Sequence, residues 1–384
     1  MHTPFTPVSK LPHVGTTIFT VIGQLAAQHQ AINLSQGAPN FACSDTLVRY
    51  AHEAMQAGHN QYAPMSGLPA LREAIAAKVA ALYGQHYQPD SEVTVMASAS
   101  EALFSAVTAL VHPGDEVIVF EPAFDSYIPM IELQGARAVV VKLAAPGFAI
   151  PWDEVAALIT PRTRMIVLNT PHNPTGTVLG ADDAARLQAL TAGTDIVILS
   201  DEVYEHVVFD GQLHHSMSRY PALAERAVVV TSFGKTFHVT GWRVGYCLAP
   251  AALMDEIRKV HQFAMFAADT PMQHALARLM AEPEHYLGLA AFYQRKRDLL
   301  VSALAGSRLQ LLPSHGSFFL LAGYGHLSDE PDSQLVQRLI TEHGVATIPV
   351  SAFYGDGTDQ RLIRLSFAKD DATLLAGAER LCRL

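Results

Sequence analysis

The chain has 384 residues, 49% hydrophobic and 16% charged, with a formal net charge of −10 at pH 7. That balance fits a folded protein with a large core, and the length suggests two domains, one large and one small. The negative charge and the lack of any basic block make nucleic acid and anionic membrane poor partners, and no apolar run is long enough to cross a bilayer.

The opening stretch, MHTPFTPVSKLPHVG, has no apolar h-region, so no secretory signal is expected. Next comes ASASEALFSAV, where Ser98 and Glu101 have capping-box spacing and EALFSAVTALV reads as the helix they open. Its start, ringed by small hydroxyl residues, is also an anion site in prospect. DEVIVF (115–120), RMIVLN (164–169), DIVILSD (195–201) and AVVVTS (227–232) read as strands buried on both faces. ADDAARLQALTA (181–192) reads as a helix between two of them. This alternation predicts an α/β fold, a mostly parallel sheet flanked by helices. Towards the end, a long helix over 283–305 precedes the strands GSFFLLA and RLIRLSFA, which suggests a smaller α/β domain joined by the N-terminal segment.

Cys43, Cys247 and Cys382 are odd in number and far apart. A disulfide framework is not expected, and a reducing cytoplasm is the simple reading. The 18 histidines are scattered, HExxH is absent, and His214-His215 falls in a polar loop. They read as solvated or core residues, with no metal site.

Asn173, Asp201, Ser232 and Lys235 all fall at or just after the ends of predicted strands. In a parallel sheet those points share the carboxyl edge, where ligands bind. A buried carboxylate at 201 needs a cation or several donors. One reading makes Asp201 the cap of a helix over DEVYEHVV. The other makes it the partner of a protonated ring nitrogen in a cofactor. In TSFGKTFHVTGWRVGY, the hydroxyl of Ser232, a small-residue turn and Arg243 suit a phosphate. Lys235 among them is either a point charge or an amine that forms a Schiff base.

Two rival motifs share this stretch. Gly234-Lys235-Thr236 looks like the end of a P-loop, but the required upstream glycine is Val229. Ser232-x-x-Lys235 matches a pattern of penicillin-recognising serine enzymes, whose companion motifs are absent. In NTPHNPTG (169–176), two prolines and a glycine fix a rigid loop that carries Asn173 to the same edge.

NTPHNPTG, SDEVYEHVVF and SFGKTFHVTGWRVGY, in that order, resemble the core motifs of class I pyridoxal-phosphate aminotransferases. INLSQGAPNF, NQYAPMSGLPALREAI, GDEVIVFEPAFDSY and IRLSFAK also fit, so the resemblance covers nearly the whole chain. Among subfamilies it is most similar to bacterial methionine aminotransferase and the kynurenine–glutamine transaminases. It implies fold type I, with residues 36–275 as a large pyridoxal-phosphate domain and residues 1–35 with 276–384 as a small one.

The resemblance also implies roles. Lys235 would hold pyridoxal 5'-phosphate as a Schiff base, and Asp201 would pair with the ring nitrogen. Asn173 and Tyr204 would bond the phenolic oxygen, and Phe124 would stack on the ring. Ser232, Arg243 and the helix start at Ala99 and Ser100 would take the phosphate. Tyr62 would reach the phosphate of a neighbouring subunit, making a homodimer. Arg364 would clamp the substrate carboxylate, with Gly37, Asn173 and Phe19 nearby.

Phe19, Phe124, Tyr127 and Phe266 are candidates for an apolar side-chain pocket; packing in the core is the competing reading. Two departures stand out: Ser98 where relatives often carry glycine, and Ala38 in QGAPNF where a bulkier residue is common. The implied activity is transfer of an amino group from methionine and other apolar or aromatic amino acids to a 2-oxo acid. A kynurenine or glutamine transaminase, and a cysteine-conjugate β-lyase, would use the same cofactor residues. A serine acyl-transferase built on Ser232 and Lys235 is the remote alternative, and a non-catalytic protein that keeps the fold is opposed by the complete residue set.

Overall fold

The computed structural model describes residues 6–384; the first five residues of the opening stretch, on which the signal-peptide expectation partly rests, lie outside the described residues. A 7-stranded sheet organises the larger part of the chain. Its strands are β1 Val93–Met96, β2 Glu116–Glu121, β3 Arg137–Lys142, β4 Thr163–Asn169, β5 Val197–Asp201, β6 Ala227–Ser232 and β7 Gly245–Leu248. Their spatial order is β1-β7-β6-β5-β4-β2-β3. Strands β2 to β6 run parallel, and β7 is antiparallel to both β6 and β1.

Side chains alternate across this sheet, as the pleat requires. Val119, Val167, Leu199 and Val230 enter one core, Ile118, Ile166, Ile198 and Val229 the other. The helices Ala99–Leu110 and Ala251–Ala264 cover the first face through Leu103, Ala106, Met254 and Ile257. Helix Pro69–Tyr83 covers the second through Leu71, Ile75 and Val79. Asp201 continues the alternation of Val197 and Leu199, so its side chain belongs to the face of helix Ala99–Leu110.

A 4-stranded antiparallel sheet follows, built from Gln310–Leu311, Phe319–Gly323, Ile348–Pro349 and Leu362–Ser366. The short strand Ile32–Asn33 pairs in parallel with Val345–Ala346, which ties the N-terminal segment to this part of the chain. Among the described residues no helix is long and apolar enough to cross a membrane.

Two expected elements differ. The helix expected over 283–305 is two helices, Glu284–Leu287 and Leu289–Ala303, parted at Gly288, the poorest helix former apart from proline. DEVYEHVV is not a helix but a run of turns, so Asp201 caps nothing. Its carboxylates are claimed elsewhere: Glu202 Oε1 accepts from the Ser200 hydroxyl and the Met217 N–H, and Glu205 accepts from Lys78 Nζ and the Tyr83 hydroxyl. The bonds to Met217, Lys78 and Tyr83 come from distant parts of the chain and override local helix preference. His214, placed in a polar loop by its neighbours, is buried with Nε2 2.8 Å from Glu202 Oε2.

Candidate active site

The carboxyl ends of β4, β5 and β6 come together in register: Asn169 lies opposite Asp201, and Ser232 opposite Gly245 of β7. Above that edge is a cavity of about 240 Å³. Lys235, Asp201, Tyr204 and Asn173 line it, as do Ser232, Arg243, Ala99 and Ser100 at one end. Phe124, Gly37, Arg364 and Phe19 complete the implied set. Tyr62 is the exception: it is 85% exposed, away from the cavity.

Asp201 is buried, and loss of solvent raises its carboxyl to about 6; two donors work against that shift. The Tyr127 hydroxyl donates to Oδ2 at 2.6 Å, and the Val203 N–H to Oδ1 at 3.3 Å. Tyr127 is thus a buried partner of Asp201, not a wall of the cavity as its aromatic character suggests.

Lys235 sits in the single helical turn Phe233–Thr236, directly after β6. Its Nζ donates to the Gly37 carbonyl at 3.3 Å, and the rings of Tyr204 and Phe318 lie 5.5 and 5.8 Å away. Burial, aided by the Arg364 charge and opposed by Asp201, brings its amine down to about 8. The bond to Gly37, rather than to Ser232, is not the arrangement of a serine–lysine dyad.

Arg364 is almost wholly buried. One guanidinium N–H donates to Asn173 Oδ1 at 2.8 Å and another to the Ser35 carbonyl at 2.7 Å, while Nε has no partner. The group lies 3.9 Å from the centre of the Phe319 ring. Among the described residues no carboxylate reaches it within ion-pair distance. Desolvation brings its pKa down to about 9, against the opposing pull of Tyr204 and of the Asp125 carboxylate, which lies beyond ion-pair distance. A buried cation with an unused donor and no anion is a carboxylate receptor by its chemistry.

Asn173 is fixed from behind: its N–H donates to Asn169 Oδ1 at 2.8 Å, and Asn169 Nδ2 donates to the Asp201 carbonyl at 2.9 Å. At the far end, Ala99 and Ser100 open helix Ala99–Leu110 towards the cavity. A Cβ on Gly245 would stand 2.7 Å from Ala99 N and from the Thr231 carbonyl, so only glycine permits that strand to approach the turn. Ser98 holds φ +88° and ψ 161°, a conformation favoured by glycine. Its hydroxyl accepts the Glu101 N–H at 3.4 Å, as half of a capping box; Glu101 returns its carboxylate to the Ala97 N–H instead of to Ser98.

Phe19 lies at the cavity with its ring 5.3 Å from the Arg364 guanidinium, but Phe266 does not. Phe266 packs edge-on to Tyr62 at 5.4 Å, beside the exposed Phe263 and Met265. Leu103, Val203 and Phe319 also line the cavity; each reads in sequence as an ordinary core position of a helix or strand. The Ser35 carbonyl carries no sequence signal at all.

A family model for class I and II aminotransferases matches residues 29–381. Methionine aminotransferase of Escherichia coli (strain K12) is 55% identical over 383 residues, which covers 99% of each chain. The solved structure of YbdL from Escherichia coli, described as having a methionine aminotransferase function, superposes with a TM-score of 0.97 at 54% identity, covering 99% of this chain and all of that one. Human kynurenine–oxoglutarate transaminase 1 is 35% identical over 393 residues, 93% of each chain.

Proposed function

Since the chain belongs to the class I and II aminotransferases, we propose that it transfers the amino group of methionine and other apolar or aromatic L-amino acids to a 2-oxo acid. The cofactor is pyridoxal 5'-phosphate and the fold is type I. The observation that carries the reading is the meeting in one cavity of an amine, a buried carboxylate and an anion-free arginine, at Lys235, Asp201 and Arg364.

The residues suit the group. Ala99, Ser100, Ser232 and Arg243 form a donor-rich end where Gly245 permits close approach, which fits a phosphate. Asp201 at the floor fits a protonated ring nitrogen, and Phe124 at the side fits a ring face. When bound, pyridoxal phosphate supplies an electron sink for the substrate Cα.

Each side chain then has a task. Tyr127 and Val203 N–H keep Asp201 ionised, so that it holds a proton at the ring nitrogen. Tyr204 and Asn173 present polar groups to the phenolic oxygen. Arg364 binds and orients the substrate carboxylate, with Gly37 and Phe19 beside it. Lys235, whose amine is near neutrality at about 8, holds the cofactor between turnovers, then takes the proton from Cα and returns it. Phe19, Leu103, Val203 and Phe319 line the cavity and favour an apolar side chain on the donor.

The domain division at 35/36 and 275/276 follows from this reading, as does a homodimer. Tyr62, Phe263, Met265 and Phe266 make an exposed apolar patch suited to a second copy, through which Tyr62 would reach the other subunit's phosphate. A cytoplasmic location accords with three free cysteines.

A donor and acceptor panel on the purified, cofactor-loaded protein tests the proposal. Methionine and the aromatic amino acids should turn over fastest, with ping-pong kinetics, and kynurenine and glutamine should be slower. A preference for aspartate, or release of pyruvate and ammonia from a cysteine conjugate without an acceptor, would reject it.

A further inference from the structure

Behind the phosphate-facing turn a buried histidine meets a half-buried carboxylate, a pair that the reaction does not use. Glu101 stands in the first turn of helix Ala99–Leu110, beside the Ala99 and Ser100 that line the cavity. Its Oε2 accepts the Ala97 N–H at 3.2 Å; its Oε1 accepts the Ser105 hydroxyl at 2.7 Å and lies 3.0 Å from His261 Nδ1. His261, in the last turn of helix Ala251–Ala264, is fully buried, and its Nε2 lies 3.0 Å from the Met65 carbonyl oxygen.

These contacts constrain the protons. A carbonyl oxygen only accepts, so Nε2 carries a hydrogen. A bare Nδ1 would set its lone pair against a carboxylate, so a second proton lies between Nδ1 and Oε1. The pair therefore bears no net charge. Without that second proton, Glu101 would bring a full negative charge to the turn that faces a phosphate, in a poorly solvated place where like charges repel strongly.

Resting on the functional reading above, we propose that His261 is a positioning residue for the cofactor's phosphate: it holds Glu101, and through it the turn at residues 97–100, and it cancels the carboxylate charge there. Removing His261 leaves the Glu101 charge uncompensated beside the phosphate, which should weaken phosphate retention about ten- to a hundredfold.

The test compares loss and rebinding of pyridoxal 5'-phosphate by the loaded parent, His261→Gln and the double variant His261→Gln/Glu101→Gln. The single variant should lose the cofactor about ten- to a hundredfold faster. The double variant should return to near the parent, because the uncompensated charge is gone. Pyridoxal, which lacks the phosphate, should bind the parent and His261→Gln alike. Equal loss in single and double variants, unchanged retention in the single variant, or an equal penalty with pyridoxal would overturn the proposal. Should His261→Gln fail to fold, Glu101→Gln alone decides: retention equal to or tighter than the parent supports it, and retention about tenfold weaker overturns it, because the turn would then depend on the carboxylate itself and not on its charge being cancelled. A parent protein that takes up no pyridoxal phosphate would instead reject the functional reading, and this inference with it.

Discussion

Cofactor capture by the cofactor-free protein should rise with pH and level off just above 8. Capture requires a neutral amine at Lys235 Nζ. Desolvation and the Arg364 charge bring that amine from an ordinary 10.5 to about 8, with Asp201 opposing. At pH 7 an amine that titrates at 8 is about one-tenth neutral, whereas one at 10.5 is neutral in roughly one molecule in 3,000. The site therefore presents roughly 300-fold more nucleophile than an exposed lysine would. Asp201→Asn removes the opposing charge, so its plateau should begin at lower pH. Stopped-flow absorbance, with pyridoxal phosphate mixed into cofactor-free protein from pH 6 to 10, reads the capture rate. The expected profile bends near 8 in the parent and lower in the variant. A rate that still climbs tenfold per pH unit at pH 10 would show that burial does not tune this amine.

Arg364→Lys keeps a charge but loses the fork, so kcat/KM for methionine should fall about ten- to a hundredfold while the cofactor absorbance stays unchanged; unchanged kinetics would remove Arg364 from substrate binding. Tyr127→Phe deletes the 2.6 Å bond that favours ionised Asp201. The Asp201 carboxyl should then titrate above its present value of about 6, and the acid limb of the activity profile should move up with it; a fixed limb would separate Asp201 from the rate. Ser98→Gly relieves a backbone held at φ +88° at the loss of one 3.4 Å cap, so the cofactor-free protein should gain about 1 kcal/mol, seen as a higher Tm. A lower Tm would mean that the hydroxyl cap outweighs the strain.

The strands that carry chemistry were legible because they are buried on both faces. Each run of β-branched residues stops where the chain leaves the core, and Asn169, Asp201 and Ser232 stand at those stops. The short strands Val93–Met96 and Gly245–Leu248 were not legible, since four residues carry too little period to separate from loop. Nor was the partner of Asp201, for Tyr127 is 74 positions away and reads as one more aromatic. The Arg364 contact with the Ser35 carbonyl spans 329 positions and uses backbone, which no side chain announces. The turns over DEVYEHVV had the composition of a helix, but Glu202 and Glu205 are bound to distant groups that the local sequence does not contain. Tyr62 is exposed in the single chain, so the proposed completion of the site by a second copy is visible in neither the cavity nor the local pattern.

The most direct measurement is reduction of the cofactor-loaded protein with borohydride, followed by peptide mapping of the trapped adduct. Seven lysines compete for it, among them the buried Lys78 and Lys369. One adduct, on the peptide that contains Lys235, is the predicted result. An adduct on any other lysine, or none, would contradict the account.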